Sequence, residues 1–177
     1  LPWLDHKTPT KGSIIISDPD QDFIPEGQDF VKSDTGELVR NWVQGVYTIN
    51  SKKSQVVMGW IGTKKIEMDN VTVSFLNKNA AVAVQSIDSK PIGVSDNLLI
   101  SFATRSVPSA GNNMPYLSEP ADGSLSIKAK QGLNLYMINK YGKELELPVD
   151  YNDGAYHIVV DRSIKTYWLT LKKIPEN

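Results

Sequence analysis

The sequence contains no cysteine and only two histidines, His6 and His157. The absence of cysteine excludes disulfide bonds, thiol catalysis and cysteine-ligated zinc sites, but it leaves the redox compartment undecided. Two histidines supply little material for an active site built on imidazole groups, and His157 lies inside a strand-like segment. The composition therefore argues against an enzyme.

The chain also lacks an excess of charge and any long hydrophobic run. Its 19 Lys and Arg residues against 20 Asp and Glu residues give a net charge of −1, which argues against nucleic acid or an anionic membrane surface as the main partner. No apolar run approaches the roughly 18 residues that a membrane-spanning helix needs. With 177 residues, 40% of them hydrophobic and 22% charged, the composition is that of one globular domain.

Short segments in which apolar and polar residues alternate with period two dominate the sequence. In residues 81–87, for example, Val82 and Val84 fall on one face of a predicted strand, and Ala81 and Ala83 fall on the other. The same pattern predicts strands at residues 13–16, 38–43, 46–49, 55–60, 71–75, 99–104, 124–129, 133–137, 144–147, 156–160 and 166–171. Turn sequences separate these segments, and no helical period is sustained. We predict an all-β fold, an antiparallel β-sandwich of jelly-roll or Greek-key type.

The predicted strands define the domain organisation. Residues 1–29 resemble a linker that carries one edge strand, and residues 30–177 form the predicted sandwich module. Residues 36–62 are expected to form an antiparallel meander, and the polar run 105–121 is expected to be a loop that crosses between the sheets. Because the chain begins with Leu1 and no signal-peptide segment follows, we expect a module of a longer protein, with a mature processed product as the alternative.

No motif for nucleophilic, phosphate-binding or metalloprotease chemistry is present. Paired carboxylates remain open as an alternative, because their spatial pairing is invisible in a sequence. Asp18, Asp20 and Asp22 have the spacing that opens a calcium loop, but Phe23 occupies the position where that loop requires glycine. We predict no catalytic residue, no metal ion and no cofactor.

Amphipathic aromatic residues are the most informative feature, since 4 Trp and 7 Tyr accompany only 4 Phe. An indole or phenol ring offers a flat apolar face for a sugar ring, together with a polar edge for hydroxyl groups. The predicted carbohydrate-binding residues are Trp42, Tyr47 and Trp60 on the meander and Asn112, Asn113 and Tyr116 in the long loop. The alternative for each aromatic residue is packing in the core, and Trp168 is predicted to be a core residue.

Several segments together resemble a known module. They are residues 33–38, 45–50, 55–62, 71–73, 81–88, 98–101, 119–125 and 154–169. From about Phe30 onward, these turns and core positions resemble the β-sandwich accessory module found C-terminal to the (β/α)-barrel of some bacterial β-galactosidase-like and cellulase-like glycoside hydrolases.

The resemblance implies a non-catalytic function, because the catalytic glutamates of such enzymes lie on a barrel that this sequence does not contain. The leading hypothesis is a carbohydrate-binding module of a secreted or cell-surface bacterial hydrolase. Its expected partners are a polysaccharide or oligosaccharide of the β-glucan or mannan type and a covalently linked catalytic domain. The alternatives are a structural module that buttresses the barrel without binding sugar and an independent β-sandwich lyase or hydrolase.

Overall fold

A computed structural model describes residues 28–109 and 113–174. It confirms the all-β prediction, because every strand pair in this part of the chain is antiparallel and the one helical element is the short 3₁₀ helix Ile92–Val94. The strands are β1 Phe30–Lys32, β2 Leu38–Asn41, β3 Val46–Asn50, β4 Ser54–Gly59, β5 Lys65–Glu67, β6 Val71–Phe75, β7 Ala80–Ser86, β8 Asn97–Thr104, β9 Ser106–Ser109, β10 Asn113–Ser118, β11 Gly123–Lys128, β12 Asn134–Ile138, β13 Glu144–Leu147, β14 Asp150–Asn152, β15 Ala155–Val160 and β16 Trp168–Lys172.

The strands form two layers. A nine-stranded sheet has the order β1-β2-β3-β4-β7-β8-β16-β12-β13, and a five-stranded sheet has the order β14-β15-β11-β6-β5. Strands β9 and β10 pair only with each other as a separate hairpin among the described residues. The predicted meander is confirmed, since β2, β3 and β4 are consecutive antiparallel neighbours.

The hydrophobic core fills the space between the two sheets. The nine-stranded sheet contributes residues such as Val57, Ile100 and Leu171, and the five-stranded sheet contributes residues such as Val73 and Ile127. Along each strand these residues alternate with residues that face outward. The alternation in the sequence therefore gives each sheet one apolar face, and the two apolar faces pack against each other. This packing leaves the outer face of the nine-stranded sheet open to solvent or to a ligand.

Two buried polar side chains join elements across the core. The Gln55 side chain is fully buried; its Oε1 accepts the Asn70 backbone N–H at 2.9 Å and its Nε2 donates to the Ser51 carbonyl at 3.5 Å. The Tyr156 hydroxyl accepts the Leu133 N–H at 2.7 Å and donates to the Lys130 carbonyl at 3.1 Å. Burial raises the pKa of Tyr156 above its ordinary value, so this bridge stays protonated at neutral pH.

Asp88 organises the loop between β7 and β8. Burial opposes its ionisation, but hydrogen bonds from the Asp96 backbone N–H and from the Ser95 and Ser86 hydroxyls outweigh that effect and lower the pKa of Asp88 well below its usual range. Asp96 in turn forms ion pairs with Lys90 and with Lys130, which belongs to the loop between β11 and β12. The loop is thus fixed where it joins two adjacent strands of the large sheet.

The polar run 105–121, predicted as a loop, is largely the β9–β10 hairpin, so that prediction was wrong in its local structure. The run does connect β8 of the large sheet with β11 of the small one, as expected of a crossing segment. Val107 and Leu117 face each other across the hairpin and both are exposed, so the hairpin has no buried face that would produce a clear alternation of apolar and polar residues. The short strands β1, β5 and β14 were also not predicted.

Residues 1–27 of the predicted N-terminal segment lie outside the described residues, and they include its edge strand at residues 13–16 and the aspartates Asp18, Asp20 and Asp22. In the described part of the chain, no helix has the length and apolar character needed to cross a membrane.

Candidate binding groove

An open groove of about 440 Å³ runs over the outer face of the nine-stranded sheet. Its floor consists of small side chains on the neighbouring strands β7 and β8, namely Ala81, Ala83, Ser101 and Ala103. These residues occupy the outer phase of each strand, where the sequence predicted Ala81 and Ala83 to share a face. Because small side chains cover four adjacent positions, the surface of the sheet is lower there than on either side.

Larger side chains bound the floor, and strand register fixes their positions. On one side Val56 of β4 is the cross-strand partner of Ala83. On the other side Trp168, the first residue of β16, is the cross-strand partner of Ser101. Cross-strand partners have Cβ atoms about 5 Å apart on the same face, so an indole stands directly beside the floor.

Trp168 is 53% exposed, and the prediction that it lies in the core was wrong. Leu169 and Leu171 are the fully buried residues of β16 and face the core. Because side chains alternate along a strand, Trp168 lies on the outer face of the sheet. Tyr167 makes an edge-to-face contact with the indole, with ring centroids 6.4 Å apart and an interplanar angle of 77°. Within the described residues, no Lys or Arg lies over the Trp168 ring, so its exposed area is available to a flat ligand.

The β9–β10 hairpin stands at one end of the groove. Ser106 lines the groove, and its hydroxyl lies 2.9 Å from that of Ser118 on the paired strand. The Tyr167 hydroxyl donates a hydrogen bond to Ser118 Oγ at 2.5 Å. Tyr116 is 60% exposed and, by strand alternation, lies on the hairpin face that carries these serines. The hairpin thus brings one predicted site residue toward the groove.

The other predicted aromatic residues lie along the meander. Trp42 and Trp60, which are 68% and 50% exposed, flank the turn between β2 and β3: Trp42 precedes that turn, and the Trp60 ring packs against Gly45 within it. Tyr47 is half-buried and shares an outer-face row with Met58 and Ala81. None of the three lines the groove itself, although Tyr47 lies on the same face.

Cations cover both meander tryptophans. The Arg40 guanidinium lies 5.0 Å from the Trp42 ring centroid, and the Lys78 ammonium lies 4.9 Å from that of Trp60. A sugar that stacks on either ring must displace that contact or share the ring with it, at a cost of about 0.5–1 kcal/mol for an exposed cation–π pair. Of the three described tryptophans, Trp168 is therefore the best placed for stacking.

Asn112 and the side chain of Asn113 lie outside the described part of the chain. Hydroxyl groups near the groove come instead from Ser101, Thr104 and Ser106, all of which line it. These three residues were not predicted from the sequence, because isolated Ser and Thr residues in strands are common. The available signal was the position of Ser101 on the outer face of β8, beside Ala103.

The five-stranded sheet has a polar outer face with its own shallow depression of about 440 Å³. Register places Ser126, His157 and Asp150 side by side on three adjacent strands. In the described structure no hydrogen bond joins these three side chains, so they do not form the connected nucleophile, base and acid that acyl transfer uses. The described residues also contain no group of three or more His, Asp or Glu side chains arranged to hold a metal ion.

Comparison of the chain with family models, with curated proteins and with solved structures gives no significant match. The site is therefore defined by its own geometry: an apolar groove with a floor of alanine and serine, a free indole at one wall and several hydroxyl groups at its margin.

Proposed function

We propose that this domain is a non-catalytic carbohydrate-binding module that holds a polysaccharide or oligosaccharide chain in the groove on the outer face of the nine-stranded sheet. The proposed ligand is a glycan of the β-glucan or mannan type, and the module belongs to a secreted or cell-surface glycoside hydrolase. The observation that carries the proposal is the exposed ring of Trp168, over which none of the described Lys and Arg side chains lies, beside a floor of small residues.

The chemistry of the groove supports a sugar ligand. The apolar C–H face of a pyranose can stack on Trp168, with the low floor of Ala83 and Ser101 leaving space beside the indole. The hydroxyls of Ser101, Thr104 and Ser106 can exchange hydrogen bonds with sugar hydroxyls along the rim. An open groove admits an extended chain, whereas a closed pocket would admit only its end.

The expected affinity is modest. One stacking contact contributes about 1 kcal/mol beyond the area that it buries, and exposed hydroxyl bonds contribute less than buried ones. We therefore expect dissociation constants between about 1 μM and 1 mM. Such a module acts by raising the local concentration of polysaccharide at a linked catalytic domain.

The test is affinity electrophoresis and calorimetry against soluble β-glucans, mannans, xylans and galactans, using the wild-type chain, Trp168→Ala and Trp42→Ala. We expect binding to at least one β-glucan or mannan. Loss of the stacking contact predicts that Trp168→Ala weakens glycan binding at least about five-fold, because the buried area of the ring is lost as well. Trp42→Ala is expected to leave glycan binding close to that of the wild type. The proposal is contradicted if the wild-type protein binds none of these polysaccharides, or if the two substitutions weaken binding equally.

A specific observation favours a second candidate, a structural domain that packs against a linked domain. Val107 and Leu117 lie opposite each other on one face of the β9–β10 hairpin, and both are exposed. Exposed apolar pairs of this kind are typical of surfaces that another domain covers. This candidate predicts that the isolated chain self-associates in sedimentation experiments and binds no glycan. The double substitution Val107→Ser with Leu117→Ser should abolish the self-association.

A further inference from the structure

A second depression, of about 290 Å³, lies next to the groove on the other side of Tyr167. The loop between β15 and β16 forms one side of it, and the segment Glu119–Ala121, between β10 and β11, forms the other. The groove and this cleft share Phe102, Thr104 and Tyr167 among their lining residues, so they are adjacent parts of one surface.

The cleft carries an excess of positive charge. Arg162 and Lys165 line it together with a single carboxylate, Glu119. In the described part of the chain neither cation forms an ion pair, and Glu119 forms none either. The neighbouring Asp161 does not line the cleft, and its carboxylate accepts the Ser163 backbone N–H at 2.7 Å. The charge of the lining is therefore +1 on a protein whose net charge is −1.

The backbone around the cleft is held in place on both sides. The Thr104 hydroxyl donates to the Glu119 carbonyl, and the Glu119 N–H donates to the Arg105 carbonyl at 2.9 Å. On the other side the Tyr167 carbonyl accepts the Phe102 N–H at 3.0 Å, and the Tyr167 hydroxyl is bound to Ser118. The Glu119 segment and the Tyr167 end of the loop that carries the two cations are thus both held against neighbouring strands.

We propose that this cleft is a subsite for the carboxylate of an acidic sugar residue, so that the module prefers polysaccharides that contain uronic acids over neutral ones. The inference rests on the proposed function, since it assigns the class of glycan that the groove holds. A guanidinium can bind a carboxylate through two parallel N–H···O bonds, and an ammonium adds a third donor. A sugar stacked on Trp168 would place the next residues of the chain beside Tyr167 and hence beside the two cations.

The experiment compares oligosaccharides that differ only in oxidation at C6. The matched pairs are cellohexaose with a β-1,4-glucuronan hexasaccharide, and mannohexaose with a β-1,4-mannuronan hexasaccharide. The proteins are the wild-type chain, Trp168→Ala, Arg162→Gln with Lys165→Gln, and the control Lys52→Gln with Lys53→Gln. The control makes the same change in net charge in the exposed turn between β3 and β4, at the far end of the sheet from the cleft.

We expect the acidic member of at least one pair to bind the wild type about ten-fold more tightly than the neutral member, as one charge-assisted contact would provide. The Arg162 and Lys165 variant should lose this preference and retain the affinity for the neutral sugar, whereas the control keeps the preference. Raising the salt concentration should reduce it. The inference is overturned if the wild type binds acidic and neutral sugars equally. It is also overturned if the Arg162 and Lys165 variant keeps the preference for the acidic sugar, or if the Lys52 and Lys53 control loses that preference to the same extent.

The result also separates the two proposals. If neutral sugars bind in a way that depends on Trp168, and acidic sugars bind no more tightly, the acidic subsite is overturned and the proposed function stands. Binding of acidic sugars that depends on Arg162 and Lys165 but not on Trp168 supports the cleft and contradicts the groove. Failure of every hexasaccharide to bind overturns both.

Discussion

Replacement of Gln55 by leucine tests how the two sheets are joined. Gln55 lies on β4 of the large sheet with a fully buried side chain, and its Oε1 accepts the Asn70 N–H in the turn between β5 and β6 of the small sheet. Leucine fills a similar volume but cannot accept that hydrogen bond. An N–H removed from water and left without a partner costs about 1–3 kcal/mol, and the partly buried Asn70 N–H would incur part of this cost. The bond from Nε2 to the Ser51 carbonyl, at 3.5 Å, adds little.

We therefore expect Gln55→Leu to lower the free energy of unfolding by about 2 kcal/mol, which corresponds to a fall in Tm of about 4–8 °C for a domain of this size. The matched control is Gln85→Leu on the adjacent strand β7, where the side chain is exposed and the expected change is within about 0.5 kcal/mol. Urea unfolding followed by fluorescence measures both. If the two variants unfold at the same urea concentration, Gln55 does not join the sheets as described.

Three further predictions concern the loop, the turn and the groove. Because the pKa of Asp88 is lower in the folded state than in the unfolded chain, its ionisation stabilises the fold above pH ~4, and that contribution falls as the pH drops below it. Urea unfolding should therefore show a stability gap between wild type and Asp88→Asn that narrows from pH 7 to pH 3; a constant gap contradicts this. Gly45→Ala places a Cβ 2.3 Å from the Trp60 ring at a φ of +60°. It should therefore lower the free energy of unfolding by more than the ~1–2 kcal/mol of left-handed strain alone, and it should shift the tryptophan emission. An unchanged emission spectrum would count against the contact between Gly45 and Trp60. Ala83→Leu raises the groove floor and should weaken glycan binding in calorimetry without a comparable loss of stability, whereas unchanged affinity places the ligand elsewhere.

The alternation of apolar and polar residues was sufficient to predict most strands. The bounds of β6 and β13 coincide with the predicted segments. Val82 and Val84 share one face of β7 as predicted, and the structure places that face in the core. In β6 and β7 one face is buried and the other is half-buried or exposed, so the period-two pattern of these two strands is strong. The pattern fails in the β9–β10 hairpin, where Val107, Tyr116 and Leu117 are all exposed.

The position of the groove could not be predicted, because alternation assigns residues to two faces but does not say which face is the core. In β16 an aromatic residue, Trp168, competes with Leu169 and Leu171 for the inner face, and the pairing of β16 with β8 and β12 decides in favour of the leucines. The floor also depends on β7 and β8 being neighbours, which brings Ala83 next to Ser101. Such cross-strand pairings belong to the topology and are not visible in local sequence.

Acrylamide quenching of Trp168 fluorescence tests the central claim most directly. The variant with Trp3→Phe, Trp42→Phe and Trp60→Phe leaves Trp168 as the only tryptophan, and its half-exposed ring should be quenched readily in the free protein. At a saturating concentration of the glycan that binds best, the Stern–Volmer constant should fall, because a stacked sugar shields the indole. A constant that stays the same while calorimetry shows the glycan bound would mean that the sugar does not lie on Trp168.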